Sequence, residues 1–188
     1  MGLLTKLAAD AVELARALRT DRADDRRPSL KEAVRAALSQ DGYKVLALSR
    51  MRTTARERHI PGVNHALRLA TTVLYGIEIG SEVELGEGVD FTHTLGTVVG
   101  GTSKLGARVK LLGNNTIGTA KDNGCPIIED DVVIGCGARV LGPVRIGRGA
   151  VIGANAVVLS DVPAGAVAVG IPATVRERSR DPNDPQES

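Results

Sequence analysis

Aliphatic residues recur at every sixth position from Ile128 to Val158: Ile128, Ile134, Val140, Ile146, Ile152 and Val158. Two places before each stands a second, usually smaller residue, in order Pro126, Val132, Ala138, Val144, Ala150 and Ala156. An α-helix repeats every 3.6 residues and a two-faced strand every 2, so neither explains a step of six. One short strand plus one turn per six residues does explain it. Three such units, 18 residues, close a triangular coil, and stacked coils set each aliphatic side chain on its predecessor. This pattern predicts a parallel β-helix of the hexapeptide type.

The same beat begins earlier, at Ile79, Leu85 and Phe91, and continues through Val99, Leu105, Leu111 and Ile117. It slips twice, by two residues between Phe91 and Val99 and by five between Ile117 and Ile128. Extra residues in a solenoid must leave the prism as loops, and such loops commonly form the binding face. The first carries Thr92-His93-Thr94; the second is Thr119-Ala120-Lys121-Asp122-Asn123-Gly124-Cys125.

The first 75 residues read as helices. Leu7, Ala11, Leu14 and Leu18 form one apolar stripe. A charged connector from Thr20 to Pro28 leads to Ser29, an N-cap for a helix striped by Leu30, Ala33, Val34, Ala37 and Leu38. Asp41-Gly42 is expected to end that helix, and a third runs from Tyr43 to about Arg58. Pro61 opens a fourth, with Val63, Leu67, Ala70 and Leu74 on one face. The fold class is α+β, with a helical region at 1–75, a β-helix at 76–175 and a polar, disordered tail at 176–188.

Composition agrees with a thin aliphatic prism: 22 glycines, no tryptophan, and Tyr43, Tyr75 and Phe91 as the only aromatics. A net charge of +2, with no basic stripe and few stacking rings, argues against a nucleic-acid partner. Lys6, Asp10, Glu13 and Arg16 interrupt the apolar residues near the start, so neither a signal peptide nor a membrane span is expected. Two cysteines suggest the reduced cytoplasm rather than a disulfide framework.

His93 is the one histidine of the repeat region, since His59 and His65 precede it. One reading is a turn histidine making a single hydrogen bond. The other is a general base, for which imidazole is suited by an unperturbed pKa near 6.5. A single histidine there argues against a metal centre, which in related architectures takes three. Glu78 stands about one coil earlier, either as an orienter of the ring or as a solvated acid among Glu82, Glu84 and Glu87.

The runs FTHTLGTVVGG (91–101), PIIEDDVVIGCGARVLGPVRIGRGAVIGANAVVLSDVP (126–163) and VGIPATV (169–175) resemble serine O-acetyltransferase, a hexapeptide-repeat family using acetyl-CoA. GYKVLALSR (42–50) echoes that family's helix near the site, with Lys44 where a histidine is usual. The resemblance implies a left-handed β-helix, with His93 as general base and Glu78 as the acid that orients it. It further implies a coenzyme A groove lined by Cys136, Gly153 and Ala154, with Thr119 and Lys121 toward the coenzyme. Cys136 and Ala154 stand 18 apart, so the repeat itself stacks them on one edge. Alternatives stay open: a small buried residue for Cys136, a solvated loop lysine for Lys121.

The departures bear on the acceptor. Cys125 stands where the family has a second histidine, Gly124 where it has the arginine for the substrate carboxylate, and Thr92 where it has an aspartate for the amino group. Losing a charged partner for a desolvated carboxylate costs about 2–5 kcal/mol. An acylated Cys125 would need a base, and the sequence assigns it none. The resulting expectation is a cytoplasmic acetyl-CoA-dependent O-acyltransferase acting on L-serine or a related small hydroxyl acceptor, without metal. A different acceptor (amine, sugar or modified amino acid) and a non-catalytic trimeric scaffold are the alternatives. The family also implies a homotrimer or dimer of trimers. The tail ends in Ser188 rather than isoleucine, so docking of cysteine synthase is not expected.

Overall fold

The computed structural model describes residues 2–19, 26–121 and 123–177. Most of the 20–28 connector, Asp122 and the tail from 178 onward therefore lie outside the described residues. Four helices come first: α1 (Leu3–Ala17), α2 (Leu30–Ser39), α3 (Asp41–Glu57) and α4 (Val63–Tyr75). Ser29 caps α2 as its sequence predicts. Its hydroxyl accepts from the Glu32 N–H while the Glu32 carboxylate accepts from the Ser29 N–H, a reciprocal capping box.

Two helix boundaries differ from expectation. Asp41-Gly42 does not stop α2; it is the first turn of α3, and extended Gln40 makes the break. Gly42 is needed there for contact rather than for a turn. A Cβ on it would lie 2.5 Å from the Phe91 carbonyl oxygen, so the bare glycine lets α3 lie against the prism. The fourth helix opens one residue after Pro61, on Gly62 with φ +77, and its buried residue is Thr71. Nor are the helical stripes all core. Ala33 and Ala36 are buried, whereas Leu30, Val34 and Leu38 remain exposed along an apolar groove between α1 and α2.

The solenoid follows. Its first coil is β1 (Glu78–Ile79), β2 (Glu84–Leu85) and β3 (Asp90–Phe91); its second is β4 (Val98–Val99), β5 (Lys104–Leu105) and β6 (Lys110–Leu111). The third is β7 (Thr116–Gly118), β8 (Ile127–Ile128) and β9 (Val133–Ile134), and the fourth β10 (Arg139–Leu141), β11 (Arg145–Ile146) and β12 (Val151–Ile152). A last coil holds β13 (Val157–Val158) and β14 (Val167–Val169), and β15 (Thr174–Arg176) closes the stack antiparallel to β14. The strands form three parallel faces: β1-β4-β7-β10-β13, β2-β5-β8-β11, and β3-β6-β9-β12-β14. Every residue of the six-step series points inward, and Val99, Leu111, Ile117, Ile134, Val140, Ile146 and Ile152 are fully buried. Among the described residues no helix is long and apolar enough to cross a membrane.

A solenoid's first coil has no predecessor, so the outward carbonyls of its strands would be left unpaired. Arginines of α3 take them. Arg50 donates to the Leu85 and Gly86 carbonyls at 2.6 and 2.7 Å, Arg52 to Ile79 at 2.8 Å, and Arg56 to Ser81. Arg50 also holds the Asp10 carboxylate of α1 at 3.0 Å, and the Gly88 N–H donates to the same acid. Asp10 is only 1% exposed, so this pair locks α1, α3 and the first coil in one buried junction. Replacing Asp10 with alanine strands a charge there and is expected to cost about 3–5 kcal/mol, read from urea unfolding of the whole chain.

Candidate active site

The two breaks in the repeat emerge at different corners. After β3 the chain takes six residues (92–97) to reach β4, where the later coils turn the same corner in four (112–115, 135–138, 153–156). This longer turn is pinned along its length. The Gly96 N–H donates to the Gly76 carbonyl at 2.9 Å, Asn114 N–H to Leu95 at 3.1 Å, and Glu78 N–H to Thr97 at 3.0 Å. His93 rests on Gly113 of the next coil. A Cβ on Gly113, whose φ is +116, would lie 2.8 Å from the His93 Cβ. The imidazole is exposed, and neither ring nitrogen has a partner among the described residues.

Strand register shows what lies under it. Phe91 pairs with Leu111, Leu111 with Ile134, and Ile134 with Ile152. Two residues beyond each, at the same corner, come His93, Gly113, Cys136 and Ala154. Direct bonds hold the column together: Gly137 N–H to the Gly113 carbonyl and Asn155 N–H to the Cys136 carbonyl, both 2.9 Å. One edge of the prism thus carries a histidine at its head and small residues below. Cys136 and Ala154 are both exposed on it, so Cys136 is not the small buried residue that its sequence also allowed.

Above this edge His93 borders an open cavity of about 460 Å³, lined also by Asp41, Leu74, Tyr75, Thr92, Thr94 and Leu95. Asp41 comes from the first turn of α3, Leu74 and Tyr75 from the end of α4. The sequence concealed these three, because Asp41-Gly42 looks like a helix stop and the aromatic and leucine look like core. Lys44, one turn along α3, donates to the Asp41 carboxylate at 2.8 Å. That bond holds the ammonium above the usual lysine range, with the neighbouring carboxylate and Tyr75 adding to it.

Glu78 flanks the His93 turn, directly over Val98, but does not reach the ring. Its carboxylate stands 3.6 Å from the Arg68 guanidinium, both side chains half exposed. The Thr92 hydroxyl donates to Asp90 at 3.0 Å. The second break, after β7, leaves the prism one corner on, between the first and second faces. Exposed Thr119 and Lys121, Gly124 against Pro143, and Cys125 against Gly101 therefore all sit away from His93 within one chain. The residues expected to line one coenzyme and acceptor site are thus split, because each coil passes three corners and the insertions occupy two of them. The described residues contain no group of three or more His, Cys, Asp or Glu that could hold a metal ion.

Known proteins resemble this chain in sequence and fold. The hexapeptide family described as bacterial transferase hexapeptide (six repeats) matches residues 125–160. Serine acetyltransferase of Synechococcus elongatus is 34% identical over 82% of this chain, which spans 65% of that protein. The serine acetyltransferase of Helicobacter pylori is 34% identical over 81% of the chain and is spanned to 91% of its length. Among solved structures, the Neisseria gonorrhoeae serine acetyltransferase aligns with 95% of this chain and 66% of its own, at 28% identity and a TM-score of 0.79. A soybean serine acetyltransferase complexed with serine aligns with 92% of the chain and 70% of its own, at 32% identity and a TM-score of 0.78. Four helices followed by a left-handed parallel β-helix are common ground with these structures. The chain belongs to the serine acetyltransferase family.

Proposed function

We propose that this protein transfers the acetyl group of acetyl-CoA to the hydroxyl of L-serine or a closely related small acceptor, with His93 as general base. The observation that carries the reading is the unpartnered imidazole at the head of the Gly113–Cys136–Ala154 column, facing an open cavity. A narrow strip of small residues accommodates an extended pantetheine arm, and its upper end would present the thioester to His93. A related serine acetyltransferase has been solved in complex with CoA, which supports the assignment. In the reaction the imidazole takes the hydroxyl proton as the acceptor oxygen attacks the thioester carbonyl. The tetrahedral intermediate collapses, the carbon–sulfur bond breaks, and the imidazolium returns the proton to the departing CoA sulfur. Glu78 would orient the ring once its loose contact with Arg68 is given up.

The split of the two insertions supports a homotrimer. Gly124 and Cys125 border an acceptor held by His93 only if the loop comes from a neighbouring copy across a threefold axis. The apolar groove between α1 and α2, about 660 Å³, supports pairing of two trimers through their helices. Thr119 and Lys121 then approach the coenzyme from the second subunit. Residence in the cytoplasm is part of the same proposal, supported by two free thiols on separate corners.

Thiol release from acetyl-CoA, followed over L-serine, D-serine, homoserine, threonine, amines and sugars, tests the reading. Turnover of a hydroxyl acceptor is expected, falling about 10²- to 10⁴-fold in His93→Ala. Bound CoA with silence across the panel would instead make the protein a scaffold. Cys136→Trp fills the column from an exposed position. It is expected to raise the KM for acetyl-CoA at least about tenfold while the unfolding midpoint stays put, measured by initial rates and urea titration.

A further inference from the structure

Resting on the acyltransferase reading, we propose that Asp41 binds the ammonium group of the acceptor, making it a specificity-determining residue. Asp41 is the one carboxylate on the wall of the cavity that His93 borders. Its place there is enforced. Gly42 presses on the Phe91 carbonyl, and Phe91 is two residues before His93, so the first turn of α3 and the histidine turn are held side by side. The side chain is 61% exposed toward the cavity and solvent. Lys44 occupies only Oδ1, and no other partner exists among the described residues, so Oδ2 is open to a ligand.

The rest of the wall says what kind of ligand. Leu74 and Leu95 are large and exposed, 69% and 73%, and suit a short carbon skeleton between the two polar ends. Thr92, Thr94 and Tyr75 offer hydroxyls. A purely anionic acceptor would meet the Asp41 charge, which the Lys44 ammonium offsets only in part, and a neutral polyol would leave it unused. An alcohol with an ammonium group a few bonds away satisfies both Asp41 and His93. The exposed Asp41–Lys44 pair is of a kind worth little in water, so it yields to such a ligand at small cost.

The test compares wild type, Asp41→Asn, Asp41→Ser and Lys44→Gln, each full-length and with CoA bound. Calorimetric titrations use L-serine, ethanolamine and glycerate, three small alcohols with both charged groups, the amine alone and the carboxylate alone. Kinetics with L-serine and acetyl-CoA run alongside. Both Asp41 variants are expected to weaken L-serine and ethanolamine roughly 10- to 100-fold, leave glycerate unchanged or tighter, and raise the KM for L-serine with little change in kcat or in the KM for acetyl-CoA. Lys44→Gln, which removes the intrahelical pair but keeps the carboxylate, is expected to retain L-serine affinity.

Retention of L-serine affinity to within about threefold in Asp41→Asn would overturn the proposal. So would equal loss of all three compounds, or a Lys44→Gln defect as large as that of Asp41→Asn, since either marks a merely structural role. Transfer to amine-free acceptors alone would sink the role of Asp41 and leave the acyltransferase standing. Absence of thiol release with every acceptor, despite CoA binding, would remove the underlying reading as well.

Discussion

The structure depends on a hydrogen-bond ladder that runs along the prism axis rather than within any coil. Each two-residue strand is too short to persist alone and exists because its N–H and C=O groups meet those of the coils above and below. Such a ladder needs a terminus. At the far end β15 folds back on β14, with Ala173 N–H bonded to the Val157 carbonyl. At the near end the arginines of α3 take the free carbonyls of the first coil. Arg52 shows how tight this closure is: it is 4% exposed, one guanidinium nitrogen has no partner among the described residues, and burial beside Arg68 and Arg56 lowers its pKa from the ordinary arginine value.

Capping has a consequence at the site. Because α3 must lie across the first coil to reach Ile79, Ser81, Leu85 and Gly86, its opening turn falls beside β3, where the histidine turn begins. The contact between Gly42 and Phe91 fixes the final approach. The helices are thus one wall of the cavity as well as a lid on the ladder. Closure of the solenoid end and the wall of the cavity beside His93 draw on the same piece of chain.

The solenoid leaves room for a long exposed turn only where the repeat relaxes. Positions obeying the step of six are inward apolar residues with no freedom to react, and glycines that follow several of them let the next coil lie close. Gly135 illustrates this, since a Cβ on it would meet the Ala154 amide at 2.5 Å. A long exposed turn such as the one that carries His93 fits only where residues are inserted, and the two insertions stand at different corners.

Much of this was legible in the sequence because a strict period has one structural solution. The inward residues from Ile79 to Val158, the two loops, the N-cap at Ser29 and the stacking of Cys136 on Ala154 all follow from spacing that a local rule can read. Tertiary structure decided the rest. Which corner each insertion occupies depends on counting strands around the prism, so His93 and Cys125 parted despite lying in comparable loops. Asp41-Gly42 has the local chemistry of a helix stop, yet docking of α3 on the first coil turned it into a helix start facing the histidine. Leu74 and Leu95 carry an apolar signature that normally means core, and only the gap between α4 and the His93 turn leaves them exposed. Period and propensity are properties of neighbours along the chain, whereas a cavity wall is assembled from elements about fifty residues apart whose meeting is set by packing.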